Sequence, residues 1–416
     1  MRILYFTQFY KPESIAAAFR AADHAREWAE AGHDVAVFTG WPNYPVGCVF
    51  DGYTVERLGE ERDGRVRVLR SKSSIAPNTS MVKRVVGGGS WFVYGILNCL
   101  TKKKQIGDGY DVVLATSGTV FAAMVGRFYA KRNRIPLVME FRDLTYKQMV
   151  ATGSDANGWK VRLMKSIELG LCRDAERVVV LTEGFRDALA AEGVPAEKID
   201  VVPNGADIVP CDHSWSASGS LRLGYFGTMG ISQDVPATLD LAAALAVRGV
   251  PVSYLLVGEG AARSEVENDI AEGSCLFADL RHAVPKDELE PLYASVDATV
   301  VSLKQSSSFA GTIPSKIFQS FARGVPVLFI GPEGEAARLV RRSGAGMVFT
   351  GSADEAKDDL LSFVLEANLP ERLAQMSAAA VDFMKASYTR KRMAERMIGV
   401  LSRACREKGD AAGRNK

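Results

Sequence analysis

Residues 304–346 read K-Q-S-S-S-F-A-G-T-I-P-S-K-I-F-Q-S-F-A-R-G-V-P-V-L-F-I-G-P-E-G-E-A-A-R-L-V-R-R-S-G-A-G. The run before them, Ala298 to Leu303, has the unbroken apolar pattern of a buried strand. A polar loop follows from Ser306 to Thr312. Pro314 suits the first turn of a helix, where its missing N–H would have had no partner. Ile317, Phe318, Phe321 and Ala322 recur at helical spacing, and Arg323 with Gly324 gives a basic last turn and a stop. Pro326 to Ile330 is a short apolar strand. Gly331, Pro332 and Gly334 then turn the chain into a helix opened by Glu335. Strands alternating with helices predict a parallel α/β sheet.

A loop feeding a helix start presents unpaired N–H groups and the positive end of the helix dipole, which together form an anion site. Lys316 adds a full charge one turn into the helix, and Lys304 stands on the near side of the same loop. A lone helix lysine is ordinarily a solvated one. In the company of Gly311, Thr312, Pro314 and Ser315, Lys316 reads as a ligand for a diphosphate.

Working outward, 416 residues are too many for one ordinary core, so two domains are expected. Hydrophobic content of 47% and charged content of 24% are globular values, and a net charge of +2 carries no nucleic-acid footprint. The six cysteines are scattered without a C-x-x-C pair, which excludes a zinc motif or a disulfide framework and fits reduced thiols in the cytoplasm. Arg2 to Thr7 is a buried strand rather than a signal peptide, Ala16 to Ala31 a helix stopped by Gly32, and Val35 to Thr39 the next strand. That order begins a doubly wound domain, in which ligands bind beyond the carboxyl ends of the strands.

Candidate residues gather at those ends. Trp41 to Pro45 (W-P-N-Y-P) is a rigid loop carrying Asn43 and Tyr44. Glu140, Arg142 and Asp143 end a buried strand, where charge is costly unless paired or functional. Arg20, on the first helix, suits an anionic group or a salt bridge. Asn204 lies in P-N-G-A-D at Pro203 to Asp207, which is also a plain turn. A second glycine turn, L-R-L-G-Y-F-G-T-M-G at Leu221 to Gly230, places Gly227 and Thr228 at a strand end. Gly258 closes the next strand. His282 follows in R-H-A-V-P-K-D-E-L, where it can meet a base or stand as an exposed turn residue. Met81 to Lys104 is apolar, aromatic and flanked by lysines. Its apolar run, Val85 to Leu100, is too short and too rich in glycine to span a bilayer, and the segment suits either a core helix or an interfacial one on an anionic membrane.

T-I-P-S-K-I-F-Q-S-F-A-R-G-V-P-V-L with G-E-A-A-R-L-V-R-R-S-G-A-G, together with W-P-N-Y-P, E-F-R-D-L and V-P-N-G-A-D, resembles the family 4 glycosyltransferases, nearest to the bacterial O-antigen, capsule and exopolysaccharide enzymes. The resemblance runs from Met1 to about Thr389. It implies the GT-B fold: an acceptor-binding Rossmann-like domain over 1–208, a hinge over 209–220, a nucleotide-sugar domain over 221–385, and a helix over 386–405 that returns to the first domain, with 406–416 a disordered tail.

It further implies transfer with retention, without a metal or other cofactor, from a UDP- or GDP-linked sugar to a glycan or polyprenyl-diphosphate-linked acceptor. Such an enzyme would work in the cytoplasm, in peripheral contact with the membrane through Lys83–Lys104. Asp143, Lys316 and Lys304 would carry the chemistry. Gly227, Thr228, Gly258, His282, Gly311, Thr312, Ser315, Lys316, Gln319 and Glu335 would hold the donor, and Arg20, Asn43, Tyr44, Glu140, Arg142 and Asn204 the acceptor. The chain departs from the family's Glu-x7-Glu pair, whose positions fall near Gly311 and on Gln319. Glutamine can still hydrogen-bond ribose hydroxyls but brings no charge. That change keeps a non-catalytic partner protein as an alternative, beside a sugar-nucleotide epimerase of the same fold. The absence of G-x-G-x-x-G in the first turn argues against a dehydrogenase.

Overall fold

The strands of the described residues form two sheets. The first contains β1 (Arg2–Phe6), β2 (Asp34–Gly40), β3 (Leu58–Asp63), β4 (Val66–Ser71), β5 (Val112–Thr116), β6 (Leu137–Phe141), β7 (Arg177–Val180) and β8 (Ile199–Val201), in the order β3-β4-β2-β1-β5-β6-β7-β8. The second contains β9 (Leu221–Phe226), β10 (Val252–Val257), β11 (Ala278–Arg281), β12 (Ala298–Ser302), β13 (Val327–Ile330) and β14 (Gly346–Phe349), in the order β11-β10-β9-β12-β13-β14. The pairs are parallel except β3–β4. The computed structural model describes the chain apart from residues 14, 45–46, 76–80, 231, 273–274, 351–352 and 415–416, and apart from the side chains at 81–82, 84, 286–287, 353–354 and 411–414. Pro45 of the W-P-N-Y-P loop and the side chain of Arg84 thus lie outside the described residues.

The chain divides into two compact units. The first comprises Met1–Met149, Ser154–Asn204 and Arg390–Lys416, and the second Val150–Gly153 and Gly205–Thr389. In each, helices cover the parallel strands on both faces, so the strands read as continuous apolar runs. In the first unit, helix Ala16–Glu30 and the last helix, Arg390–Arg414, share one face of the sheet. Trp28 Nε1 donates to the Ala394 carbonyl at 3.0 Å, and Met393, Met397, Val400 and Leu401 join Tyr5, Ala25 and Val37 in one core. This last helix does not stop at Cys405, where the expected tail begins. Glu407 pairs with Arg177 and Lys408 with Glu176, which extends it along the start of β7.

The expected hinge over 209–220 is laid onto the second unit. Val209 and Cys211 donate backbone N–H groups to Ala322 and Arg323, the His213 ring stacks on Trp215 at 4.4 Å, and Asp297 accepts from the Ser216 N–H. On the other face of the first sheet, helix Met81–Thr101 packs through glycines. A Cβ at Gly88 would stand 2.3 Å from the Phe121 ring, and one at Gly95 would stand 2.9 Å from Val125. Small residues on one helix therefore allow close approach to helix Val120–Asn133.

Candidate active site

In the first unit the carboxyl ends of the strands are built around a buried ion pair. Glu140, the fourth residue of β6, is 0% exposed, and Arg20 is 7% exposed. Arg20 donates Nε to Glu140 Oε1 at 2.9 Å, Nη2 to the Val202 carbonyl at 3.0 Å, and Nη1 to the Pro203 carbonyl at 2.8 Å and Asn204 Oδ1 at 3.4 Å. Tyr5 donates its hydroxyl to Glu140 Oε2 at 3.3 Å. Burial alone would raise the Glu140 carboxyl, but the charges of Arg20, His24 and Arg142 outweigh it and hold it at about 2. Burial beside Arg20 keeps His24 neutral, with its value down at about 3.

Two expectations are corrected by this arrangement. Arg20 is not an open receptor for an anion, because its donors are spent on Glu140 and on the loop after β8. Glu140 has no surface with which to meet an acceptor. Both brace the site, and Asn204 is braced with them.

Four groups stay available at this edge. Arg142 is partly exposed, and its Nε has no hydrogen-bond partner among the described residues. Asp143, also partly exposed, has its carboxyl pushed up to about 6, chiefly by burial, against the pull of Arg142 and a hydrogen bond from Gln148. The buried hydroxyls of Thr116, the last residue of β5, and of Ser117 after it likewise have no partner among the described residues. The Asn43 side chain turns into its own loop, donating Nδ2 to the Trp41 carbonyl at 2.8 Å. Glu13, 1% exposed, accepts the N–H groups of Asn43 at 3.1 Å and Tyr44 at 3.0 Å and so shapes that loop. Glu13 carries no sequence signal beyond being an acid in the exit loop of β1.

The raised Asp143 carboxyl makes a prediction with a sign. The fold favours the protonated acid, so the penalty is absent below the ordinary aspartate value and grows as pH rises through about 6. Asp143→Asn is therefore expected to raise the unfolding midpoint at pH 8 by roughly 2–4 °C for each kcal/mol recovered, and to leave it unchanged near pH 3.5. Thermal unfolding of both proteins across pH 3.5–8 checks this. A lowered midpoint at pH 8 would contradict it.

In the second unit the candidates gather at the carboxyl ends of β9, β10, β12 and β13. Lys316 Nζ lies 3.6 Å from the centre of the Tyr225 ring and donates to the Thr228 carbonyl at 2.7 Å; the Tyr225 hydroxyl donates to the same carbonyl at 2.8 Å. Burial holds the ammonium well below the ordinary lysine range. Beside it Gly227 takes φ +111°, and Gly258 presses so close that a Cβ there would stand 1.9 Å from the Gly227 carbonyl. The two glycine turns therefore interlock, leaving Gly227 and Thr228 exposed. Helix Ser315–Ala322 starts after Pro314, and among the described residues the N–H groups of Ile313, Ser315 and Lys316 have no acceptor. The Thr312 N–H is already used by the Phe309 carbonyl. Glu335 donates its backbone N–H to the Ala310 carbonyl at 2.7 Å, tying the loop that carries Gly311 to the next helix start.

Not every candidate converges. The Lys304 side chain is exposed, while its backbone N–H meets Ser232. His282 is exposed and pairs with Glu259 at 2.7 Å. Gln319 Oε1 accepts from Arg323 Nη1 at 3.0 Å, and Arg323 in turn forms a two-point pair with Glu290 at 2.8 and 2.7 Å over the Tyr293 ring. The glutamine amide is thereby oriented with its NH2 turned away from Arg323. The Glu335 carboxylate pairs with Arg338 at 3.0 Å.

Two parallel-sheet α/β units, with an anion-ready lysine and helix start at a strand edge, are the architecture of the GT-B glycosyltransferases. Residues 16–205 match the model of the glycosyl transferase 4-like domain. The chain is 24% identical over 339 residues to an Escherichia coli K12 protein named for colanic acid biosynthesis, the glycosyl transferase WcaI, covering 78% of this chain and 82% of that one. Its fold is similar to that of sucrose-phosphate synthase from Thermosynechococcus elongatus (TM-score 0.71, 14% identity, 97% of this chain and 98% of that one). It is also similar to that of Anabaena HepE in complex with UDP (TM-score 0.66, 17% identity, 97% of this chain and 100% of that one).

Proposed function

We propose that the chain transfers a glycosyl group from a nucleotide sugar to a glycan or polyprenyl-diphosphate-linked acceptor in surface polysaccharide biosynthesis, with retention at the anomeric carbon and without a metal. The observation that carries this reading is Lys316. Its ammonium is held by one carbonyl and one ring face, beside three N–H groups that have no acceptor among the described residues. A bound diphosphate restores what that ammonium lacks. As the bond from the sugar to the diphosphate breaks, negative charge grows on the leaving oxygen, and donors already fixed there stabilise it. Gly227, Thr228 and Gly258 let the phosphates approach, and Gln319 meets the ribose through its free NH2. Arg142, Asp143 and the Tyr44 loop serve the acceptor, with Asp143 poised to take a hydroxyl proton near neutral pH.

The relatives support the pathway class: one is named for colanic acid biosynthesis and another was solved with UDP. An acceptor anchored in a membrane would place the enzyme at the cytoplasmic face. The test is incubation with UDP-, GDP-, dTDP- and ADP-sugars and a bacterial lipid-linked glycan fraction, with and without EDTA. The expected result is an extended glycan from one donor, unchanged by EDTA, with the donor's anomeric configuration kept by NMR. Nucleotide release without glycan extension, or an inverted product, would overturn the proposal.

A further inference from the structure

A guanidinium without a partner stands at the carboxyl edge of the first sheet. Arg142 directly follows β6, is partly exposed, and makes no hydrogen bond or ion pair among the described residues. Its charge acts on Tyr5, His24 and Glu140, which places it on the face of the sheet that helix Ala16–Glu30 covers. An arginine does not shed its proton to escape burial. Burial still pulls its value below the ordinary one, against the attraction of Glu140 and Asp143.

Neither acid supplies the missing partner. Glu140 accepts from Arg20 through Oε1 at 2.9 Å and from Tyr5 through Oε2 at 3.3 Å. Asp143 accepts from Gln148 and forms no ion pair with Arg142. Thr116 adds a second idle donor. It stands in register with Glu140 across β5 and β6, so the two side chains share a face. It is 3% exposed, and its hydroxyl has no partner among the described residues. A buried hydroxyl and, two residues beyond its register partner, a guanidinium with a buried and idle Nε are the donors of a site that lacks an oxyanion. Leaving such groups unpaired is costly unless a ligand completes them.

We propose that Arg142 and Thr116 seat the carboxylate of an acidic sugar, such as a hexuronic acid, in the acceptor. A planar guanidinium meets both oxygens of a carboxylate through two parallel N–H groups, and the threonine hydroxyl donates a further hydrogen bond. Arg20 and Glu140 offset each other and His24 is neutral, so Arg142 offers one positive charge to one negative charge. A phosphate group brings about two negative charges to an edge that already holds Glu140 and Asp143. A carboxylate fixed here sets the acceptor sugar beside Asp143. The pocket's role rests on this edge serving the acceptor in glycosyl transfer.

The experiment is titration of the full chain with methyl β-D-glucuronide, methyl β-D-glucoside and inorganic phosphate, followed by saturation-transfer NMR. The glucuronide is expected to bind, with the glucoside and phosphate weaker by tenfold or more. Arg142→Gln should weaken the glucuronide roughly 10- to 100-fold and Thr116→Val about fivefold. Arg142→Lys should not restore it, because an ammonium cannot meet both oxygens in one plane. Thermal unfolding should show each variant folded, with Arg142→Gln no less stable than the native protein. Equal binding of glucuronide and glucoside, preference for phosphate, or glucuronide binding insensitive to Arg142→Gln would overturn the proposal. The readout needs no turnover. A protein that holds glucuronide at Arg142 yet extends no glycan leaves the pocket standing and removes the transfer reaction. One that extends a neutral glycan unimpaired by Arg142→Gln does the reverse.

Discussion

Arg20→Ala is expected to destabilise the first unit by about 3–5 kcal/mol, the cost of breaking a buried ion pair by removing one partner. The guanidinium lies between Glu140, which has no exposed surface, and the carbonyls of Val202 and Pro203. Its loss strands a buried carboxylate and two acceptors at once. The stranded acid would escape by taking a proton, which gives the effect a pH dependence. In the native protein Glu140 sits at about 2, below its ordinary value. Its pairing therefore contributes stability that is complete above the ordinary glutamate range and fades as pH falls from there toward 2. In Arg20→Ala the shift reverses, and the unpaired acid costs progressively more as pH rises. The deficit should thus be larger at pH 8 than at pH 5. Urea unfolding followed by circular dichroism at both values measures it; a loss under 1 kcal/mol at pH 8 would contradict the bracing role.

Lys316→Ala is expected to lower kcat/KM for the nucleotide sugar by about 10²–10³-fold, the usual cost of removing one fixed donor from developing charge. The fold should not suffer. The ammonium is held short of water against Tyr225 with one carbonyl as partner, so its removal relieves a desolvated charge. An unchanged or slightly raised unfolding midpoint with collapsed turnover would mark Lys316 as catalytic rather than structural. Lys316→Arg should not rescue, because a planar fork cannot occupy a place fitted to a point charge 3.6 Å from a ring centre. Steady-state kinetics paired with thermal unfolding checks both variants, and turnover within threefold of the native enzyme would contradict the assignment.

What the sequence discloses follows from where the physical signal lies. Buried parallel strands announce themselves because both faces are covered, so runs such as R-I-L-Y-F and A-T-V-V-S-L are legible without partners. β3 is not legible in this way. L-G-E-E-R-D carries four charges, and only its antiparallel pairing with β4 at the sheet edge makes it a strand. The donor loop can be read because Pro314, Lys316 and Gly324 act locally, within one strand–loop–helix unit. The contact of Lys316 with Tyr225 depends instead on β9 and β12 being neighbours, which only the topology decides. The same holds for Arg20 and Glu140, 120 residues apart on elements that meet around β1, β5 and β6. An arginine seen alone on the first helix reads as a surface or ligand group. Glu13 stays hidden because an acid in an exit loop resembles any solvated residue until the loop after β2 brings two N–H groups to it.

The central claim is that the second unit holds the diphosphate of a nucleotide sugar at Lys316. Isothermal titration of the full chain and of Lys316→Ala with UDP, GDP, dTDP and ADP tests it most directly. The ammonium is held below its ordinary range, and a bound diphosphate favours its charged form. One nucleotide should therefore bind clearly, and that binding should be lost in Lys316→Ala. Absence of binding by all four at millimolar concentration, or equal binding to native protein and Lys316→Ala, would contradict the account.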